Sequence, residues 1–316
     1  MTQVVQWCLA RIAKYDGIYR SVCSVDAKGA LATAAREDAD AARGGANQRG
    51  PMWGVPIVIK ANTSIKGLIT SDGWKGFIVP GHELIAPADA PVVAKLRAAG
   101  AVILGQTNMP DFAAADTTRS SAFGRTGNAY DVRFSPGGSS GGTVTAVTAN
   151  FALLGTGTDT SNSIRMPSST SAVVGVLPTR GLVSIAGIAP LDWLLDDTGP
   201  IARNVTDAAI ALGVMAGEDP LDFRTKGSAA KAQASSVHAI FEVRRASRKT
   251  LRRAFVHPQR QDFGRRRIAA PRDSRDLPEG DRRNARCGRN GADRRRHSAG
   301  EFFRRHPQDQ DIALQS

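Results

Sequence analysis

Residues 134–169 read FSPGGSSGGTVTAVTANFALLGTGTDTSNSIRMPSS. The stretch opens on a glycine-serine loop, Gly137 to Gly142, and continues into small residues (143–150) free of proline and charge, which predict a helix. The apolar run Phe151–Gly155 that follows predicts a buried strand. A second loop rich in Ser and Thr then leads to Arg165. Two serine-rich loops thus flank one helix–strand unit, the building block of an α/β domain.

Working outward, GVPIVIKAN (54–62) is a short β-branched apolar run between Gly54 and Asn62, read as a buried strand that ends at Lys60. PVVAKLRAA (91–99) predicts an amphipathic helix with Pro91 at its start and Gly100 after its end. The next residues, AVILGQTN, predict another buried strand running into a loop. Val4, Val5, Leu9 and Ile12 recur at helical spacing, and the Ala-rich segment 24–43 predicts a second helix. The expected fold class is α/β, a mixed sheet surrounded by helices.

The 316 residues suit one domain of ordinary size or two small ones, and the formal charge of +13 is unevenly spread. Residues 1–236 hold 21 Lys+Arg against 19 Asp+Glu, whereas residues 237–316 hold 21 against 10. The tail's basic residues are 20 Arg and a single Lys, and it shows no sustained helical or alternating pattern. A solvated basic tail is one account of this, and a nucleic-acid arm another. Aromatic stacking residues are thin there and no RNA-binding motif occurs, so no nucleic-acid partner is expected. The abrupt, Arg-dominated change is read instead as a GC-rich coding region translated out of frame. The expected division is therefore a domain over 1–230 and a tail over 231–316.

Cys8, Cys23 and Cys287 form no CxxC pair and have no His partners at metal spacing, so neither a disulfide framework nor a zinc site is expected. The N-terminus lacks a secretory pattern, and nowhere do about 18 apolar residues run together. A reduced, cytoplasmic protein without a membrane span is the expectation.

The chemistry lies in the two serine loops and Lys60. A serine hydroxyl needs a base to become a nucleophile, and lysine serves as one only when neutral. Lysine ordinarily ionises near ~10.4, so poising it near ~7–8 takes about 4 kcal/mol, which burial after the apolar run Val55–Ile59 can supply. GGSSGG lacks the Lys-Ser/Thr ending of a phosphate loop, and no G-x-S-x-G elbow occurs. Of five histidines, His82 and His238 are isolated and His257, His297 and His306 lie in the tail, which disfavours a Ser-His-Asp triad. A serine-lysine relay is the best chemical reading, and it requires no cofactor or metal.

With these residues in view, the chain from Trp7 to Gly227 resembles the amidase signature family. GVPIVIKAN is similar to that family's lysine strand, PGGSSGG to its first serine loop, and GTDTSNSIRMP to its nucleophile loop G-x-D-x-G-G-S-I-R-x-P. The two serines stand 24 positions apart, as in the family. The resemblance implies that Ser163 is the nucleophile forming an acyl-enzyme, Ser139 a bridging residue and Lys60 the base. It implies a cis peptide bond before Ser139, for which Gly138 is suited, and an oxyanion hole from the backbone N–H groups of Thr160, Ser161, Asn162 and Ser163. Asp159 and Arg165 fall to supporting the loop. The pattern departs from the family at Ser161-Asn162, where the usual residues are Gly-Gly; Asn tolerates positive φ better than most residues.

The resemblance implies a hydrolase that splits a small carboxylic amide into an acid and ammonia or an amine. Two alternatives stand beside it: the glutaminase subunit of an aminoacyl-tRNA amidotransferase, and an inactive, truncated fragment. The sequence names neither the amide nor an oligomeric state.

Overall fold

The computed structural model describes residues 1–44 and 50–228. In chain order the elements are α1 (Thr2–Tyr19), β1 (Val22–Val25), α2 (Ala27–Ala42), β2 (Val55–Lys60), α3 (Pro91–Ala98), β3 (Ala101–Thr107), β4 (Arg119–Ser120), β5 (Gly124–Arg125), α4 (Gly141–Thr148), β6 (Leu154–Asp159), α5 (Arg165–Thr170), β7 (Val174–Gly175), β8 (Asp197–Ala202) and α6 (Val205–Met215). The main sheet is mixed, with order β1-β3-β2-β6-β8-β7. Strand β2 lies parallel to both β3 and β6, whereas β1, β7 and β8 pair antiparallel with their neighbours. The expected α/β class with a mixed sheet and surrounding helices is what forms.

The alternation of side chains along β2 divides the core. Ile57 and Ile59 join one cluster with Val92, Val93 and Leu96 of α3 and Ala208, Ala211 and Met215 of α6. Val58 points the other way, into a cluster with Val5, Cys8 and Ile12 of α1, Ala30 and Ala34 of α2, and Ala146 of α4. A strand places residues i and i+2 on one face, so Lys60 shares the face of Val58 and comes out under α4. The strand's period thereby fixes which layer receives the lysine.

Local signals account for the helix ends. Asp26 caps α2 by accepting from the Gly29 N–H at 2.9 Å, and Asn204 caps α6 by accepting from Asp207. Pro91 occupies the first turn of α3, and Gly100 follows that helix with φ +90, a backbone state that glycine enters at least cost.

Two boundaries differ from expectation. The small-residue helix runs over 141–148 rather than 143–150, and Asn150, at φ 58, closes it. The strand begins at Leu154 and extends through Gly-Thr-Gly-Thr-Asp, rather than occupying 151–155. Phe151 belongs to the connection: its N–H donates to the Ala146 carbonyl at 2.8 Å while its ring packs against Tyr19. Strand β6 carries glycines on the face toward α4 because that face is crowded: a Cβ on Gly155 would lie 2.6 Å from Thr143 Cγ2, and one on Gly157 would lie 2.8 Å from Ser140 Oγ and from Ile201 Cδ1.

The tail beyond residue 228, with its expected change of frame and the division near 230, lies outside the described residues.

Candidate active site

Lys60 closes β2 and is completely buried. Its Nζ lies 2.6 Å from Ser139 Oγ and 2.7 Å from Thr158 Oγ1. Burial pushes the Lys60 ammonium down to about 7, and the Asp72, Asp159 and Asp196 carboxylates act in the opposite direction. Near neutral pH the group therefore holds a substantial share of free amine, which is what a base requires.

Ser139 and Ser140 precede the first residue of α4, and the Gly138–Ser139 peptide bond is cis. A Cβ on Gly138 would lie 2.8 Å from the Ala115 carbonyl oxygen, so the loop passes too close to its neighbour for a larger residue. The two serines have different surroundings. Ser140 Oγ donates to the Thr158 carbonyl at 3.2 Å and lies 3.3 Å from the Thr158 N–H, fastening the loop to β6. Ser139 Oγ is given over to Lys60.

Ser163 lies in the turn between β6 and α5, and its carbonyl accepts from the Ser140 N–H at 3.1 Å. The two serine loops, distant in sequence, are therefore hydrogen-bonded side by side. Ser163 Oγ makes no hydrogen bond to a described residue, so only the Ser139–Lys60 leg of the expected relay is closed in this state. Such contacts commonly tighten when substrate binds.

The turn before Ser163 is held from beneath. Asp159, itself buried, accepts from the N–H groups of Ile164 and Arg165 at 3.0 and 3.3 Å and makes a two-pronged contact with the Arg165 guanidinium, at 3.2 and 3.1 Å. Arg165 also donates to the Ser161 carbonyl. Thr160 Oγ1 donates to Asp196. Among the described residues, the N–H groups of Ser161, Asn162 and Ser163 have no partner, whereas the next two along the chain are taken by Asp159. Neither Ser161 nor Asn162 has positive φ. The replacement of Gly-Gly at these positions thus demands no left-handed backbone.

Every residue singled out from the sequence falls within this one region: Lys60 and Ser139 touch, Ser163 lies beside Ser140, and Asp159 and Arg165 brace the turn. The sequence pattern left out Thr158 and Asn62, which meet beside the lysine; Asn62 Nδ2 donates to Thr158 Oγ1 at 3.1 Å. Alternation puts Thr156 and Thr158 on the face of Leu154, opposite to that of Val58, so the contact is made at the end of β2, where the chain leaves the strand, and no residue pattern announced it.

The chain is similar in sequence and fold to several known proteins. A Glutamyl-tRNA(Gln) amidotransferase subunit from Acidothermus cellulolyticus is 45% identical over 220 residues, covering 70% of this chain and 42% of that protein. Its counterpart in Streptomyces coelicolor is 44% identical over 70% of this chain and 43% of its own length. Among solved structures, the peptide amidase from Stenotrophomonas maltophilia superimposes with a TM-score of 0.66 at 38% identity, over 72% of this chain and 46% of that one. The corresponding Glutamyl-tRNA(Gln) amidotransferase subunit from Thermotoga maritima gives 0.60 at 34% identity, over 71% and 45%. The chain spans less than half the length of these relatives. The model of the Amidase family matches residues 3–263, a span that holds both serine loops and the lysine strand, and the chain belongs to that family.

Proposed function

We propose that the chain hydrolyses a small carboxylic amide through an acyl-enzyme on Ser163, with Ser139 and Lys60 relaying the proton. The observation that carries this reading is the 2.6 Å approach of a fully buried lysine amine to Ser139 Oγ, on the loop bonded to the Ser163 turn. As Ser163 Oγ attacks the amide carbon, its proton passes to Ser139 Oγ, whose own proton passes to Lys60 Nζ. The developing oxyanion is received by the N–H groups of the turn over Thr160, Ser161, Asn162 and Ser163, of which the last three have no partner among the described residues. Removing one such donor from other serine hydrolases costs about 10²–10³ in rate. The same proton then returns to the leaving nitrogen, releasing ammonia or an amine, and water repeats the attack on the ester.

The relay needs no cofactor or metal. The proposed setting is the cytoplasm, with a small-molecule amide as partner and no nucleic acid. Among the described residues no helix is long and apolar enough to cross a membrane. A second reading, the glutaminase subunit of an amidotransferase, is favoured by the relatives that are themselves amidotransferase subunits. It expects ammonia release to depend on further proteins of such a complex.

The test is labelling of the full 316-residue chain with a fluorophosphonate, with the site mapped by mass spectrometry. Labelling at Ser163 that vanishes in Ser163→Ala supports the relay. Amide hydrolysis that survives Ser163→Ala overturns it.

A further inference from the structure

Three carboxylates act on the buried amine of Lys60, those of Asp72, Asp159 and Asp196, and a fourth, Asp111, acts on Asp72. All but one are already committed. Asp159 is bonded to Arg165 and to two backbone N–H groups. Asp196 accepts from the Thr160 hydroxyl and from the Leu191 and Asp192 N–H groups. Asp111 accepts from the Ser121 N–H at 2.7 Å. Asp72 is the exception. The residue is only 3% exposed, its Oδ1 is enclosed without a hydrogen-bond partner, and among the described residues it forms no ion pair.

The backbone fixes Asp72 in this place. Its N–H donates to the Ala61 carbonyl, one residue past Lys60, at 3.1 Å, and its carbonyl accepts from the Phe112 N–H at 2.8 Å. The residue sits at φ 46, a left-handed state unusual for a non-glycine, followed by Gly73 at φ 76 packed on the Met109 and Pro110 backbone. A carboxylate buried without a partner costs folding free energy, and it does so here on backbone bonded one residue past the lysine that the proposed reaction must protonate.

We propose that Asp72 is the counterion of Lys60, a positioning residue that acts through the lysine by pairing electrostatically with the ammonium formed when Ser163 attacks. The inference rests on the relay proposed above. In the resting base Lys60 is neutral; when the Ser163 proton arrives by way of Ser139, Nζ becomes a buried cation. Asp159 and Asp196 have their charge drawn toward Arg165, Thr160 and backbone N–H groups. Among the described residues the Asp72 carboxylate has no hydrogen-bond or ion-pair partner. Of the charges that act on Lys60 it is the foremost, and Lys60 is likewise the foremost charge acting on Asp72, with Asp111 and Asp196 opposing. Burial raises the Asp72 carboxyl to about 7, so the two groups titrate in the same range.

The test reads Lys60 directly and needs no turnover. The full chain is labelled with ¹³C at lysine Cε, the Lys60 resonance is assigned by its loss in Lys60→Met, and its pH titration is followed in the wild type and in Asp72→Asn. Asn tolerates the left-handed backbone and keeps both main-chain bonds. Asp72→Gly, which removes the side chain at a φ that glycine accepts, serves as the second variant. The expected result is a fall of about one pH unit in the Lys60 midpoint in both variants. If the chain hydrolyses an amide, the acidic limb of its kcat/KM profile moves down by the same amount, and kcat falls about tenfold with KM unchanged. An unchanged Lys60 midpoint overturns the proposal, as does a rise in KM confined to cationic amides, which would make Asp72 a substrate contact instead. Because the titration is independent of turnover, a chain inactive toward amides refutes the relay without obscuring the outcome for Asp72.

Discussion

Lys60 Nζ and Thr158 Oγ1 are 2.7 Å apart, and the same threonine hydroxyl accepts from Asn62 Nδ2 at 3.1 Å. Thr158 therefore holds the lysine against β6 while Ser139 approaches it from the loop before α4. Thr158→Val keeps the shape and removes the acceptor. Two buried donors lose their partner, which costs about 1–3 kcal/mol of stability. With Lys60 free to turn from Ser139, kcat is expected to fall about tenfold or more with KM little changed. Urea unfolding and steady-state kinetics on one sample separate the two effects; a Thr158→Val protein with wild-type kcat would show that Ser139 alone orients the lysine.

Ser139 and Ser140 are adjacent and chemically identical, yet their surroundings assign them different work. If the proposed relay operates, Ser139→Ala breaks it between Ser163 and Lys60 and is expected to lower kcat by about 10²–10⁴ with little change in melting temperature. Ser140→Ala removes the tie between the loop and the Thr158 backbone, at 3.2 and 3.3 Å, and is expected to cost about 1 kcal/mol in stability with a smaller loss of rate. The reverse ranking of the two rates would reassign the bridging residue.

The positions of the proposed relay were legible in the sequence because each sits where a pattern breaks. Lys60 ends an apolar strand, and Ser139 and Ser163 stand in loops rich in small residues. What escaped depends on register. Thr158 reaches Lys60 only because β6 pairs with β2 with Ile57 opposite Leu154. A bulge in β3 at Leu104–Gly105 skips one residue, so that Ile57 pairs with Ile103 and Val58 with Gly105. That skip brings Thr107, which strict alternation would place with Ile103, round to the α4 face, where its hydroxyl meets Thr143 at 2.6 Å. Asp72 escaped for another reason: its importance lies in an unpaired oxygen, which no residue pattern records. Strand β8 carries Pro200 and Gly199 and offers no apolar run, yet it is central and pairs with β6 over its whole length.

Buried ionisable groups give stability an unusual dependence on pH. Lys60 falls from its ordinary value to about 7 on folding, so between about 7 and ~10.4 the unfolded chain binds more protons than the folded one, and stability rises with pH across that window. Burial raises Asp72 and Asp197 from 3.8 to about 7, so between those values the folded chain binds more protons and stability falls as pH rises. The combined contribution of the three groups is smallest near neutrality. Melting temperatures from about pH 5 to 9 are expected to dip near pH ~7, and Lys60→Met is expected to flatten the alkaline side. An unchanged alkaline slope in Lys60→Met would mean that burial does not hold the lysine down.

Two glycines separate packing from helix propensity. Gly155 lies in β6 where a Cβ would come within 2.6 Å of Thr143 Cγ2 and 2.8 Å of the Val58 carbonyl oxygen. The threonine could turn only by giving up its bonds to Thr107 and to the Thr156 carbonyl, and the Val58 backbone belongs to the strand that carries Lys60. Gly155→Ala is therefore expected to destabilise by about 1–3 kcal/mol. It should also reduce activity by pushing β2 away from β6 and lengthening the Lys60–Thr158 contact. Gly213, inside α6, has nothing within 4 Å of its would-be Cβ and no positive φ. There alanine only narrows the unfolded ensemble and favours the helix, so Gly213→Ala is expected to stabilise by about 0.5–1 kcal/mol and leave kcat alone. Chemical denaturation of the two variants gives opposite signs if β6 is packed against α4 and β2 as described; equal effects would refute that packing.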